Sequence, residues 1–242
     1  MQLPAQIGRK GGCRVGAAWC YSFAMCGRYY LTAGAAEIRK TFKVDGLSDL
    51  VPRYNIAPTQ LCPIVVPEGR ERRVRMARWG LVPPWSRDLS LGAGMINAPA
   101  EAIDERPAFR AAFPSQRCLV PASGFYEWES KGTRRQPYRI TPRGGALFAF
   151  AGLWEKWTPE GGEPVETFAI ITSRANKLLS EVHDRMPVII APADHQRWLT
   201  GPLQTARRLL VSYTGGMTIA RVSDRINDLK QDDVGLIAPM VG

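Results

Sequence analysis

The sequence predicts an α+β fold: a single domain built on a mixed, mostly antiparallel sheet or partly closed β-barrel, decorated by short helices. Three observations lead there. Segments rich in β-branched and aromatic residues outnumber helical ones and do not alternate with them regularly, which argues against a doubly wound parallel sheet. Gly 23 and Pro 19 are spread evenly along 242 residues, so the chain is cut into many short elements joined by turns. Apolar residues at 45% and charged residues at 22% give the balance of a folded globule with a real core.

Taken in order, residues 35–43 predict a helix, with Thr32 as cap candidate and Ile38 and Phe42 stacked at i,i+4. Strands follow at 63–66, 73–79, 117–121, 124–129, 137–141 and 146–154. Lys131-Gly132 and Gly144-Gly145 serve as turns of a central meander, since glycine takes positive φ without a steric cost. Further strands are expected at 167–172, 188–191 and 217–222, and further helices at 174–182 after Ser173 and at 193–199. No internal repeat is found. Residues 1–24 contain four glycines, two cysteines and no acidic residue, and show no periodicity. They read as a dispensable leader or a mis-set start. The run 15–24 is too short and too weakly apolar, broken by Ser22, for a convincing export signal.

Charge and composition narrow the function. The longest uncharged apolar run, 144–154, falls well short of the roughly 18 residues a membrane helix needs. Five cysteines (Cys13, Cys20, Cys26, Cys62, Cys118) show no C-x-x-C pair, and the only imidazoles are His183 and His195; no metal site and no cofactor are expected, in a reducing compartment. The net charge of +10 is spread along the chain, which suits a polyanionic partner such as nucleic acid or, more blandly, a solvated basic face.

Five clusters combine turn chemistry with reactive or aromatic groups: Met25-Cys26-Gly27-Arg28-Tyr29, Arg53-Tyr54-Asn55-Ile56-Ala57-Pro58-Thr59, Arg78-Trp79-Gly80-Leu81-Val82-Pro83-Pro84-Trp85, Gly124-Phe125-Tyr126-Glu127-Trp128 and His183-Asp184-Arg185-Met186-Pro187. With the late stretch Val222-Ser223-Asp224-Arg225-Ile226-Asn227-Asp228, the chain resembles the SRAP (SOS response-associated peptidase) family from Met25 to about Pro239. That resemblance implies an SRAP-like domain over 25–239, autoproteolytic peptidase activity, and a protein that shields abasic sites in single-stranded DNA by crosslinking to them. It also implies a cytoplasmic monomer, associated with the nucleoid when DNA is damaged.

Cys26, once it is the first residue of the chain, is a 1,2-aminothiol. A free α-amine, with a pKa of about 7.7–8, condenses with the aldehyde of a ring-opened abasic sugar to a Schiff base, and the neighbouring thiol closes a thiazolidine. An internal cysteine cannot do this, so residues 1–25 must be absent from the active form. Set against this is a buried, inert thiol. Glu127, among Phe125, Tyr126 and Trp128, is expected to have a raised pKa and to pass protons; a salt-bridged strand glutamate is the alternative, and the resemblance makes it the catalytic glutamate. His183, after the helix expected at 174–182, would be favoured in its protonated form by the helix dipole; the resemblance gives it ring opening and crosslink reversal, against a structural histidine. His195, outside the motifs, is assigned no role. Asn97 offers a neutral amide to the amine and the substrate, or an Asx turn before Ala98-Pro99. Pro99 stands where most of the family carry an arginine, leaving Arg28, Arg78 or Arg117 as substitutes.

For the DNA, Arg28, Arg53, Arg78 and Arg185 are phosphate candidates and Asn55 a further contact. Trp79 and Trp85 bracket a stiff loop that can stack on a base, with Trp79 the preferred platform. A cysteine peptidase using Cys26 with His183, and a non-catalytic nucleic-acid-binding module, remain as other classes.

Overall fold

The structure is a computed structural model that describes residues 26–47, 49–129 and 135–240; the leader and the Lys131-Gly132 turn lie outside the described residues. It is a mixed α+β domain of two mostly antiparallel sheets. Chain order gives β1 (Arg28–Leu31), α1 (Ala35–Phe42), β2 (Arg53–Ile56), β3 (Leu61–Glu68), β4 (Glu71–Trp79), β5 (Asn97–Pro99), α2 (Pro107–Ala112), β6 (Arg117–Ala122), β7 (Gly124–Trp128), β8 (Pro137–Pro142) and β9 (Phe148–Trp157). It continues with β10 (Val165–Arg174), β11 (Arg185–Pro187), β12 (Ile189–Ile190), α3 (His195–Thr200), α4 (Leu203–Arg208) and β13 (Met217–Arg221).

One sheet runs β13-β8-β7-β1-β2 and the other β11-β10-β4-β3-β6-β9-β12. An extra antiparallel pairing of β9 with β10 bends the second sheet into a ring. Among the described residues the parallel pairings are those of β10 with β4 and β5. The ring strands β6, β9 and β10 are buried through most of their length, which is why they read as continuous apolar runs and not as alternating ones. Their side chains meet Tyr29, Ile38, Phe42 and Trp79 in one main core.

The expected strands are all present, with ends shifted by a few residues. Helix α1 starts where expected, but its N-cap is Gly34 and not Thr32, whose backbone N–H bonds to the Ser123 hydroxyl instead. The helix expected at 174–182 is a correction. Arg174 ends β10 against Arg185 of β11, and only one 3-10 turn, Leu179–Glu181, follows. Asn176 is the cause: its Oδ1 accepts from Leu179 N and its Nδ2 donates to Tyr213 O, an alternative to the helical ladder that short polar side chains offer.

Candidate active site

Antiparallel pairing of β1 with β7 aligns Arg28 with Tyr126, Tyr29 with Phe125 and Tyr30 with Gly124. The last pair needs a glycine, because a Cβ on Gly124 would lie 2.4 Å from the Tyr30 ring. This register brings the residues just beyond the ladder together: the backbone N–H of Cys26 donates to Glu127 Oε1 at 2.7 Å. Cys26 turns into this contact with φ 43, a left-handed conformation that costs an L-residue roughly 1–2 kcal/mol.

Glu127 is buried, and burial pushes its carboxyl up to about 8; the Asp184 charge adds to the rise and the Cys26 N–H opposes it. At neutral pH it is an acid with a proton to give. The Cys26 thiol is also buried and is held well above the ordinary range by that burial and by Glu127. It is therefore a thiol and not a thiolate.

His183 lies in the loop before β11, with Nδ1 accepting the Arg185 amide at 3.0 Å. Burial pushes its pKa down. The expectation of a helix dipole favouring the protonated ring is corrected, because the expected α-helix is replaced by the single 3-10 turn Leu179–Glu181. Asn97 opens β5, opposite Ile170 of β10, and Arg185 pairs with Arg174 farther along the same strand. Thus β10 carries the Asn97 and His183 segments on its two flanks, while Asp184 brings the histidine loop within electrostatic reach of Glu127.

A cleft of about 360 Å³ begins one residue from Cys26, lined by Gly27, Arg28, Ala57, Pro58, Trp128, Arg135, Asn227 and Leu229. The Arg28 guanidinium sits 6.0 Å from the Trp128 ring centre. The wall at Asn227 and Leu229 belongs to a C-terminal strap tied to β2. Asn55 Nδ2 lies within 3.3 Å of the carbonyls of Ile226, Asp228 and Gln231, and Asp232 accepts from Tyr54 N, Asn55 N and Arg53 Nε. Trp128 Nε1 donates to Asn227 Oδ1 at 2.9 Å, closing the wall over β7.

Five DNA-contact expectations change in this light. Trp79 is a correction: it is fully buried, edge-on to Tyr29, stacked on Phe168, and its Nε1 donates to Ile96 O. Trp85 is the exposed partner, at 61%, on a loop held by Gly80 N to Phe168 O and Val82 N to Thr167 Oγ1. Gly80 has φ 130 and lies so close to Gly92 that a Cβ would meet its carbonyl at 2.5 Å, so the loop has little freedom. Asn55 is a correction too: it is buried and binds the strap. Arg53 is paired with Asp232, and Arg185 with Glu101 through two bonds of 2.7 and 2.9 Å, so both are already neutralised. Arg78 donates to Thr59 O and, among the described residues, has no carboxylate partner. Arg117 cannot stand in for the missing arginine, because it is buried and spends its guanidinium on the carbonyls of Phe113, Pro114, Trp198 and Gly201.

Trp128, Arg135, Asn227, Leu229 and Asp232 escaped the sequence reading as site residues. Trp128 and Asn227 lie inside quoted motifs; Leu229 and Asp232 carried no signal apart from the strap that folds them back. His195 is buried and stacked on Phe42, a structural histidine. Among the described residues no three His, Cys, Asp or Glu are grouped to hold a metal ion, and no helix is long and apolar enough to cross a membrane.

Comparison with known proteins gives a consistent picture. The family model "SOS response associated peptidase (SRAP)" matches residues 25–229. The abasic site processing protein YoaM of Bacillus subtilis (strain 168) is 39% identical over 221 residues, covering 88% of this chain and 97% of that protein. The abasic site processing protein HMCES of Xenopus tropicalis is 28% identical over 264 residues, 90% of this chain and 79% of that protein. A crystal structure of a protein from Bacteroides thetaiotaomicron superposes with a TM-score of 0.82 at 26% identity, covering 89% of this chain and all of the other.

Proposed function

Because the chain belongs to the SRAP (SOS response associated peptidase) family, we propose that it processes abasic sites by forming a covalent thiazolidine between Cys26 and the open-chain sugar in single-stranded DNA. The observation that carries this reading is the 2.7 Å bond from Cys26 N to the buried Glu127 carboxyl. An acid at that nitrogen serves two steps. While Met25 is attached, it protonates the amine that leaves as water cleaves the Met25–Cys26 bond, which frees the N-terminus, and takes back the proton that the attacking water gives up, so it is again an acid for the second step. Afterwards the neutral α-amine adds to the aldehyde carbon, and Glu127 protonates the carbinolamine hydroxyl so that water departs and an iminium remains. The Cys26 sulfur then adds to the iminium carbon, and its proton passes to the Glu127 carboxylate. The net change is aldehyde plus aminothiol to thiazolidine plus water.

A protonated thiol suits this order, since the amine attacks first and the sulfur second. It suits a general cysteine peptidase badly, because that chemistry needs a thiolate, and burial works against it here. Arg28 and Arg78 face phosphates, His183 assists sugar opening from its loop, and Trp85 stacks on the base beside the gap. The same reading makes the protein a cytoplasmic monomer that gathers on damaged nucleoid DNA.

The test mixes protein beginning at Cys26 with an abasic single-stranded oligonucleotide and follows a heat-stable adduct on a denaturing gel. Cys26→Ala should abolish it while leaving binding of undamaged strand intact. Full adduct from Cys26→Ala would overturn the assignment.

A further inference from the structure

A second cleft lies at the far end of the β3–β4 hairpin, where Lys43, Arg70, Arg72 and Arg73 outnumber Asp45 and Glu71 around a space of about 570 Å³. The hairpin fixes its distance from the lesion cleft. Leu61 pairs with Arg78 beside the Pro58-Thr59 loop, and Glu68 pairs with Glu71 at the other end, a span of seven residues or about 23 Å. The two clefts share no lining residue.

The cations here are not equivalent. Arg73 is paired with Glu68 and Glu71. Arg72 is partly buried and, among the described residues, its guanidinium bonds only to neutral groups: NH1 donates to Phe42 O, at the C-terminus of α1, and NH2 to Gln196 Oε1. That helix end offsets about half a charge. Burial pushes the pKa of Arg72 down, as for a guanidinium drawn out of water without a carboxylate beside it. Among the described residues, the side chains of Lys43 and Arg70 make no hydrogen bond or ion pair, and both stand at the rim. Lys43 is held there in the left-handed conformation, φ 54, that ends α1. His195 beside Arg72 is pushed down to about 4 by burial and by that arginine, so it adds no charge at neutral pH. The result is a concave site with a partly buried guanidinium at its floor and two cations at its rim that, among the described residues, are uncommitted.

We propose that this cleft binds phosphate, with Lys43 and Arg70 as its outer ligands and Arg72 as its floor. The source is either the backbone of a strand that continues past the lesion or a free phosphate ion. This goes beyond the crosslinking reading and stands without it.

The experiment uses the full chain and undamaged single strands, so that no crosslink forms and failure of the Cys26 chemistry cannot affect the result. Lys43→Asn with Arg70→Gln removes both rim charges at exposed positions, and asparagine tolerates the left-handed backbone. Lys156→Gln with Lys177→Gln removes the same charge elsewhere. Binding to strands of about 6 and about 30 nucleotides is measured across a salt series. Thermal melting is compared in inorganic phosphate and in chloride of equal ionic strength.

If the strand supplies the phosphate, the rim variant loses about tenfold in affinity for the long strand near 0.1 M salt. Its salt slope flattens by about 1.4, the short strand is unaffected, and the control pair shows neither change. If free phosphate is the source, phosphate raises the melting temperature of the parent and the control but not of the rim variant. Equal behaviour of rim and control variants in both arms, or equal losses on short and long strands, would overturn the proposal.

Discussion

Replacing Glu127 with glutamine separates the proton at this site from its shape. The amide keeps an oxygen at the position that accepts from Cys26 N, so the 2.7 Å contact survives while the titration is removed. Burial sets the sign of the effect. The folded carboxyl titrates near 8 against an ordinary 4.5, so the folded state holds its proton after the unfolded chain has lost it. Below about pH 4.5 both states are protonated and the group costs nothing. As pH rises from there to about 8 the native state becomes progressively less stable, and above 8 the loss is complete. At about 1.4 kcal/mol per unit, the gap sets a ceiling of about 5 kcal/mol. Glu127→Gln should therefore match the parent within about 1 kcal/mol at pH 5 and exceed it by about 2–5 kcal/mol at pH 8.5. Urea unfolding over this pH series, on full-length protein whose intact mass shows the Met25–Cys26 bond uncut, reads the difference with m unchanged. Curves for parent and variant that run parallel from pH 5 to 8.5 would refute the claim that Glu127 is buried as an acid. The same variant, begun at Cys26, should crosslink about 10²–10⁴-fold more slowly, since glutamine cannot donate the proton.

The tryptophans and the strap give two further tests. Trp79→Ala should lower stability by about 3–5 kcal/mol in chemical denaturation, as loss of a buried aromatic does, whereas Trp85→Ala should leave stability within about 0.5 kcal/mol and weaken fluorescence-detected binding of single strands. The reverse pattern would restore Trp79 as the stacking platform. Asn55→Ala leaves the carbonyls of Ile226, Asp228 and Gln231 without their amide and should cost about 2–4 kcal/mol, with faster hydrogen exchange concentrated at 226–232. Exchange that rises evenly over the whole domain would mean that Asn55 does not hold the strap in particular.

Which parts of this molecule the sequence makes legible follows from element length. Strands β3, β4, β6, β9 and β10 span six to ten residues, enough for composition and turns to mark them. Strands β1, β2, β5 and β11 span three or four residues and went unread, because their conformation comes from a partner strand and not from their own pattern. Those four carry or adjoin Cys26, Asn55, Asn97 and Arg185, so the motifs mark these residues while propensity does not mark the strands that hold them. The apolar content of 174–182 looked helical because the capping power of Asn176 appears only when Tyr213 is beside it. Sequence favours Trp79 over Trp85 as the platform, and the structure reverses that: strand β4 carries Trp79 into the core and the loop after Gly80 carries Trp85 out.

Local rules are broken where the proposed chemistry is. Among the described residues, non-glycine positive φ occurs at Cys26, Lys43 and Thr59. Cys26 bonds the acid. Thr59 follows Pro58 in the cleft wall and is fixed by its N–H to Trp79 O and by Arg78 on its carbonyl. A β-branched residue at φ 72 is strained, and only surroundings that over-determine it keep it there. Lys43 ends a helix at the rim of the second cleft. Glu127 adds a different expense, a carboxyl drawn out of water and bonded to the Cys26 N–H. A fold selected for stability alone would relieve each of these with glycine, asparagine or glutamine. Among the described residues these three backbone exceptions flank the two clefts, and none of them falls in the ring of β3, β4, β6, β9 and β10.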